Sequence, residues 1–170
     1  MGRILAVAAA LAIIAASPTV AQARQSGISA TLGGSPISLS RIATLHCHDL
    51  EYPVIRCYRS ERGLRAGVRS SLSRHRWSTA SANVSALSYV RIYEHAGLDG
   101  ASMLLTASYS SLGSIGWNDR ISSYKSVNSG RGVFSEHDNG YGIDTGFCCN
   151  SMTLSLGSKN DTFSSVYASD

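Results

Sequence analysis

Apolar residues divide the chain into stretches of different period. Residues 4–16 form an apolar run behind Arg3, followed by Pro18 and the small-residue pattern Ala21-Gln22-Ala23. A charged end, a short apolar core and a small-residue site are the parts of a secretory signal peptide, here residues 1–23, cut after Ala23. The run is shorter than the roughly 20 apolar residues that a membrane span needs, and no second one follows. Residues 24–40, rich in Gly and Ser with Pro36, predict a flexible segment. Residues 41–77 are basic and carry Cys47 and Cys57; within them 52–58 are apolar and β-rich, which predicts a short strand. Beyond Ser60, a candidate cap, Leu64, Val68 and Leu72 recur four apart, as on one helical face, although Gly63 and Gly67 weaken such a helix. Residues 78–88, mostly Ser, Ala and Asn, read as a linker.

From residue 89 the period is that of strands. Residues 89–93 alternate, Gly97 and Gly100 mark a turn, and 102–106 form the next extended run. The pattern returns with 132–134, Gly140 and Gly142, then 151–156. An internal repeat underlies this. Asn118-Asp119-Arg120-Ile121-Ser122-Ser123 matches Asn160-Asp161-Thr162-Phe163-Ser164-Ser165, and at the same offset Glu94-His95 matches Glu136-His137 and Gly100 matches Gly142. The tetrapeptide Ser-Leu-Gly-Ser at 111–114 returns at 155–158, two residues out of that phase. Short strands, Gly/Asn/Asp turns and no helical period predict an all-β domain over 89–170, built of two Greek keys (89–129 and 130–170) sharing one core.

These features resemble the βγ-crystallin superfamily, in its microbial, calcium-binding branch. Tyr93, six further residues and Gly100 match the family's hairpin motif, and both hexamers match its loop signature of Asn/Asp, Asn/Asp, two variable residues, Ser/Thr and Ser. In the second unit Ser135 stands where the aromatic belongs, with Phe134 one step earlier, which ranks the first loop ahead of the second. The resemblance implies an all-β double Greek-key sandwich holding up to two Ca²⁺ ions. Carried over by position, it implicates Glu94, Asn118, Asp119, Arg120 and Ser122, then Glu136, Asn160, Asp161, Thr162 and Ser164. Arg120 and Thr162 would act through backbone oxygen. The chemistry agrees without the family, since Ca²⁺ takes hard oxygens from carboxylates, carbonyls, hydroxyls and water. His95 and His137 read as turn residues rather than zinc ligands, because no Cys or third His has suitable spacing.

Charge and cysteines refine the picture. The formal net charge is +4, but it is unevenly placed. Residues 24–89 carry arginines against only Asp49, Glu51 and Glu61, whereas 90–170 are mildly acidic. Export makes the four cysteines candidates for disulfides, Cys47–Cys57 being the simplest pair and Cys148 and Cys149 open between pairing with each other and cross-linking back. No GxSxG elbow or HExxH helix occurs, so enzymatic chemistry has little support. The basic segment lacks interleaved aromatics and lysines, which argues for a solvated helix face over a nucleic-acid surface. The expected function is therefore a secreted, non-enzymatic calcium-binding protein whose partner is the ion itself. The alternatives are a secreted peptidase inhibitor of crystallin-like fold, which would bind a protease, and a toxin or cell-surface binder.

Overall fold

The computed structural model describes residues 27–78 and 87–169, with side chains masked at 75–78. The signal peptide falls outside the described residues, as does most of the linker. Among the described residues eleven strands form two sheets. In chain order they are β1 (Ser29–Leu32), β2 (Ser35–Ile37), β3 (His46–Glu51), β4 (Val54–Tyr58), β5 (Tyr89–His95), β6 (Asp99–Leu105), β7 (Ser123–Val127), β8 (Arg131–Ser135), β9 (Asp144–Phe147), β10 (Met152–Thr153) and β11 (Ser165–Ser169), with one α-helix, α1 (Glu61–Ser78). The larger sheet runs β10-β7-β5-β6-β3-β4-β1-β2, the smaller β11-β8-β9.

The two repeat units exchange strands. β10, from the second unit, pairs antiparallel with β7 of the first. Tyr109, from the first unit, bridges Val166 on β11 of the second. Each sheet is therefore completed by the other repeat, which gives the double Greek key expected from the sequence. Phe134, Phe163, Ile121, Trp117, Leu112 and Ile115 are all fully buried between the sheets. Stacked Phe134 and Phe163 (5.3 Å between centroids) join the second hairpin to its loop. Trp117 is thus a core aromatic.

The front of the chain departs most from expectation. Residues 29–37, part of the segment read as flexible, form β1 and β2, an antiparallel hairpin over Gly33 and Gly34. β1 runs parallel to β4, and β3 runs parallel to β6, so the front segment extends the sheet of the first Greek key. Its apolar residues Ile42, Ala43, Leu45 and Ile55 merge with the main core. Cys47 and Cys57 face one another across β3 and β4 and are disulfide-bonded. Cys148 pairs with Cys149, both on the surface after β9, so no bond joins the two regions. The extended run foreseen over 151–156 shortens to Met152–Thr153, and a short 3₁₀ turn follows at Gly157–Lys159.

α1 lies over β3 and β4, capped as expected by the Ser60 hydroxyl accepting from Gly63 N (3.2 Å). Its docked face is not the Leu64–Val68–Leu72 stripe. Leu64 and Ser71 are buried, whereas Val68 and Leu72 stay partly exposed. The two glycines explain the rotation: a Cβ at Gly67 would overlap the Tyr58 hydroxyl, and one at Gly63 would lie 3.2 Å from Tyr58 Cβ. They weaken the helix locally and let it approach the sheet. Gly67→Ala should therefore lower stability by about 1–3 kcal/mol through overpacking, although alanine is the better helix former by about 1 kcal/mol. Urea unfolding checks this, and a variant more stable than the parent would refute the contact.

Candidate metal centre

The two hexamer loops meet back to back. Asp119 N donates to Phe163 O (3.0 Å) and Asp161 N to Ile121 O (3.1 Å), one bond in each direction at matched repeat positions. Both aspartates adopt the left-handed conformation (φ 51° and 56°), which short polar side chains tolerate. Each loop is also fastened to its own hairpin. Ser122 N donates to Tyr93 O and Ser164 N to Ser135 O, both at 3.0 Å. The last serine of each hexamer is fully buried and closes the turn: Ser123 Oγ donates to His95 O (2.6 Å) and Ser165 Oγ to His137 O (2.7 Å).

This arrangement points oxygens of one loop at the other. Ser122 Oγ is 2.6 Å from Glu94 O and 3.2 Å from Asp161 Oδ1, so the first clamp takes its carboxylate from the second hexamer. In the second clamp Ser164 Oγ lies 3.5 Å from Asp119 Oδ1. Both hydroxyls belong to nearly buried residues. Oxygens sharing one Ca²⁺ at about 2.4 Å stand about 3 Å apart, and the first clamp's separations fit that.

The remaining expected ligands take different places. The side-chain amides of Asn118 and Asn160 each donate to Oδ2 of the following aspartate (2.6 Å in both), leaving the aspartate Oδ1 turned to the serine. They are orienting residues. Glu94 and Glu136 accept from Ala101 N and Ile143 N respectively, both at 3.4 Å, so the two hairpins hold their glutamates alike. Thr162 Oγ1 donates to Lys159 O (2.9 Å). The Arg120 guanidinium pairs with Glu94 and donates to Ala43 O (3.3 Å), a tie to the front segment that the repeat alone does not reveal. Among the described residues no three His, Cys, Asp or Glu side chains group as a metal site. The first clamp instead sets one carboxylate beside a hydroxyl and a carbonyl, and the second one carboxylate beside a hydroxyl, oxygens of the kind a hard cation takes.

The histidines and Ser135 find structural roles. A Cβ at Gly100 would lie 2.7 Å from the His95 ring, and one at Gly142 3.1 Å from the His137 ring. Both rings thus cover the turn glycine, at φ 78° and 89°, in the same way. The second hairpin closes without an aromatic at 135: Ser135 is buried and donates to Asp144 Oδ1 (2.6 Å), while Phe134 fills the core.

No protein-family model and no curated protein matches the chain. Solved structures that it resembles are βγ-crystallin domains. One from Flavobacterium johnsoniae is 27% identical, with 47% of this chain and 92% of that chain covered and a TM-score of 0.42. One from Clostridium beijerinckii is 25% identical over 47% of this chain and 95% of its own, at a TM-score of 0.41. The βγ-crystallin of Ciona intestinalis is 24% identical over 48% and 99%, at a TM-score of 0.44.

Proposed function

We propose that the protein is a secreted, non-enzymatic calcium-binding protein in which the ions tie together two crystallin-like Greek keys. The observation that carries this reading is the crossed pairing of Ser122 with Asp161 and of Ser164 with Asp119. A cation in either clamp would touch both repeats and so favour the assembled fold over separated units. Glu94 O, Ser122 Oγ and Asp161 Oδ1 would hold one ion, with Arg120 O; Ser164 Oγ and Asp119 Oδ1 would hold the other, with the carbonyls of Glu136 and Thr162. Bound Ca²⁺ would supply positive charge where Glu94 O, Asp161 Oδ1 and Asp119 Oδ1 now face serine hydroxyls. One carboxylate per clamp suits a modest affinity, in the range of about 10⁻⁵–10⁻³ M.

Ca²⁺ at a hundredfold excess over Kd should add about 2.7 kcal/mol of stability per site. For a chain of this size that raises Tm by about 5–10 °C. Ser122→Arg with Ser164→Arg should abolish the shift, because a guanidinium would occupy each cation's place. Calorimetric titration together with thermal melting tests the reading: no heat and no shift at millimolar Ca²⁺ would end it.

A further inference from the structure

The two hexamers differ at the third and fourth loop positions, Arg120 and Ile121 against Thr162 and Phe163, and of these only the third changes charge. Arg120 Nη2 pairs with the carboxylate of Glu94, the residue whose backbone oxygen belongs to the first clamp. The same nitrogen donates to Ala43 O, which pins the guanidinium between hairpin and front segment. Glu136, held like Glu94 by a backbone N–H, has no ion-pair partner among the described residues. The nearest lysine along the second loop, Lys159, turns its ammonium to Thr145 Oγ1 (2.7 Å).

We propose that Arg120 makes the two clamps unequal, so that Ca²⁺ enters the Asp119–Ser164 clamp first and the Asp161–Ser122 clamp second. The inference rests on the calcium reading above and adds an order of filling to it. Around the first clamp Asp161 and Glu94 are offset by Arg120; around the second, Asp119 and Glu136 are not offset. One fixed positive charge near a divalent ion, in the partly screened dielectric of a protein surface, weakens binding on the order of tenfold. The second hairpin closes over Gly142 as the first closes over Gly100, so the aromatic missing at 135 leaves that turn in place. The sequence alone ranks the loops the other way, from the intact aromatic motif of the first. Charge reverses that ranking.

Calorimetric titration of the intact protein with CaCl₂ tests this against two substitutions. The parent should show two steps about tenfold apart. Arg120→Thr should strengthen the weaker step until the two nearly coincide. Thr162→Arg should weaken the tighter step by a similar factor, and it keeps the test open if Arg120→Thr fails to fold. Two equal steps in the parent, or steps that neither substitution moves, would overturn the inequality and leave the calcium reading standing. Absence of binding in all three proteins would overturn both.

Discussion

Asp49→Ala should lower the unfolding free energy by about 3–5 kcal/mol, the largest loss expected from a single substitution here. Asp49 is fully buried on β3 and holds four donors from outside the front segment. Its Oδ1 accepts from Thr106 N (2.7 Å) and Thr106 Oγ1 (2.8 Å); its Oδ2 accepts from Ala107 N (3.1 Å) and the Tyr109 hydroxyl (3.0 Å). Burial pushes the carboxyl pKa up, and these four bonds pull it back. Burial together with the adjacent carboxylate also pushes the Tyr109 phenol up, so it remains a donor. Tyr109 is the residue that crosses to Val166, so one carboxylate joins the front segment, the first Greek key and the strand exchange. Alanine would strand two backbone N–H groups without acceptors in a dry interior. Tyr109→Phe removes one of the four bonds and should cost about 1 kcal/mol. Urea unfolding followed by tryptophan fluorescence measures both. An Asp49→Ala loss no larger than that of Tyr109→Phe would show that the front segment is not held through this carboxylate.

The same residue shows what could be read from the sequence. The Greek keys were legible because their signals are local and doubled: a hexamer, a Glu-His pair and a turn glycine recur in phase, and each signal supports the others. Among the front strands β4 was legible within the apolar run 52–58, whereas β1, β2 and β3 were not. In β3, His46-Cys47-His48-Asp49-Leu50-Glu51 looks like a polar loop, yet Cys47, His48 and Asp49 are buried. Their partners, Thr106, Ala107 and Tyr109 for Asp49 and Tyr58 for His48, lie far along the chain or across a hairpin. No periodicity records such pairings. Gly63 and Gly67 misled in a similar way, since helix propensity counts their local cost and not the ring packed against them. At the clamps the sequence named the serines and aspartates that the fold brings together, Ser122 with Asp161 and Ser164 with Asp119. The hydrogen bonds from the asparagine amides to the neighbouring carboxylates were not legible, since nothing in the hexamer pattern records them. Arg120 was read for its backbone alone, and its side chain carries the difference between the loops.

Acidification from pH 6.5 to 4 should remove up to about 3 kcal/mol of stability through His48, loosening α1 from the sheet. His48 is fully buried, its Nδ1 has no hydrogen-bond partner among the described residues, and its ring stacks on Tyr58 (5.9 Å) beneath the helix. Burial pushes its pKa down from 6.5 to about 4; the Arg56 and Arg74 charges add to this, and Glu51 opposes it. The unfolded chain therefore binds a proton at His48 that the folded protein resists, so stability falls with pH from 6.5 and the loss is complete below about 4. Glu51 acts next. It accepts from Arg56 Nε (2.7 Å), Ser71 Oγ (2.9 Å) and Arg74 Nη2 (2.6 Å), and chiefly the Arg56 bond holds its pKa at about 2. Its contribution is present above 4.5 and is lost as pH falls toward 2. Asp49, on the same strand but bonded away from the helix, has the opposite sign: its raised pKa favours the folded state as pH falls toward 3.8. The His48 and Glu51 windows are thus successive, and both weaken the contact between α1 and β3–β4. His48→Gln keeps a polar side chain of similar reach but cannot charge, so it should flatten the upper window while leaving the lower one. Melting curves between pH 7 and pH 4 decide the matter, and an equally steep decline in the parent and in His48→Gln would place the acid sensitivity elsewhere.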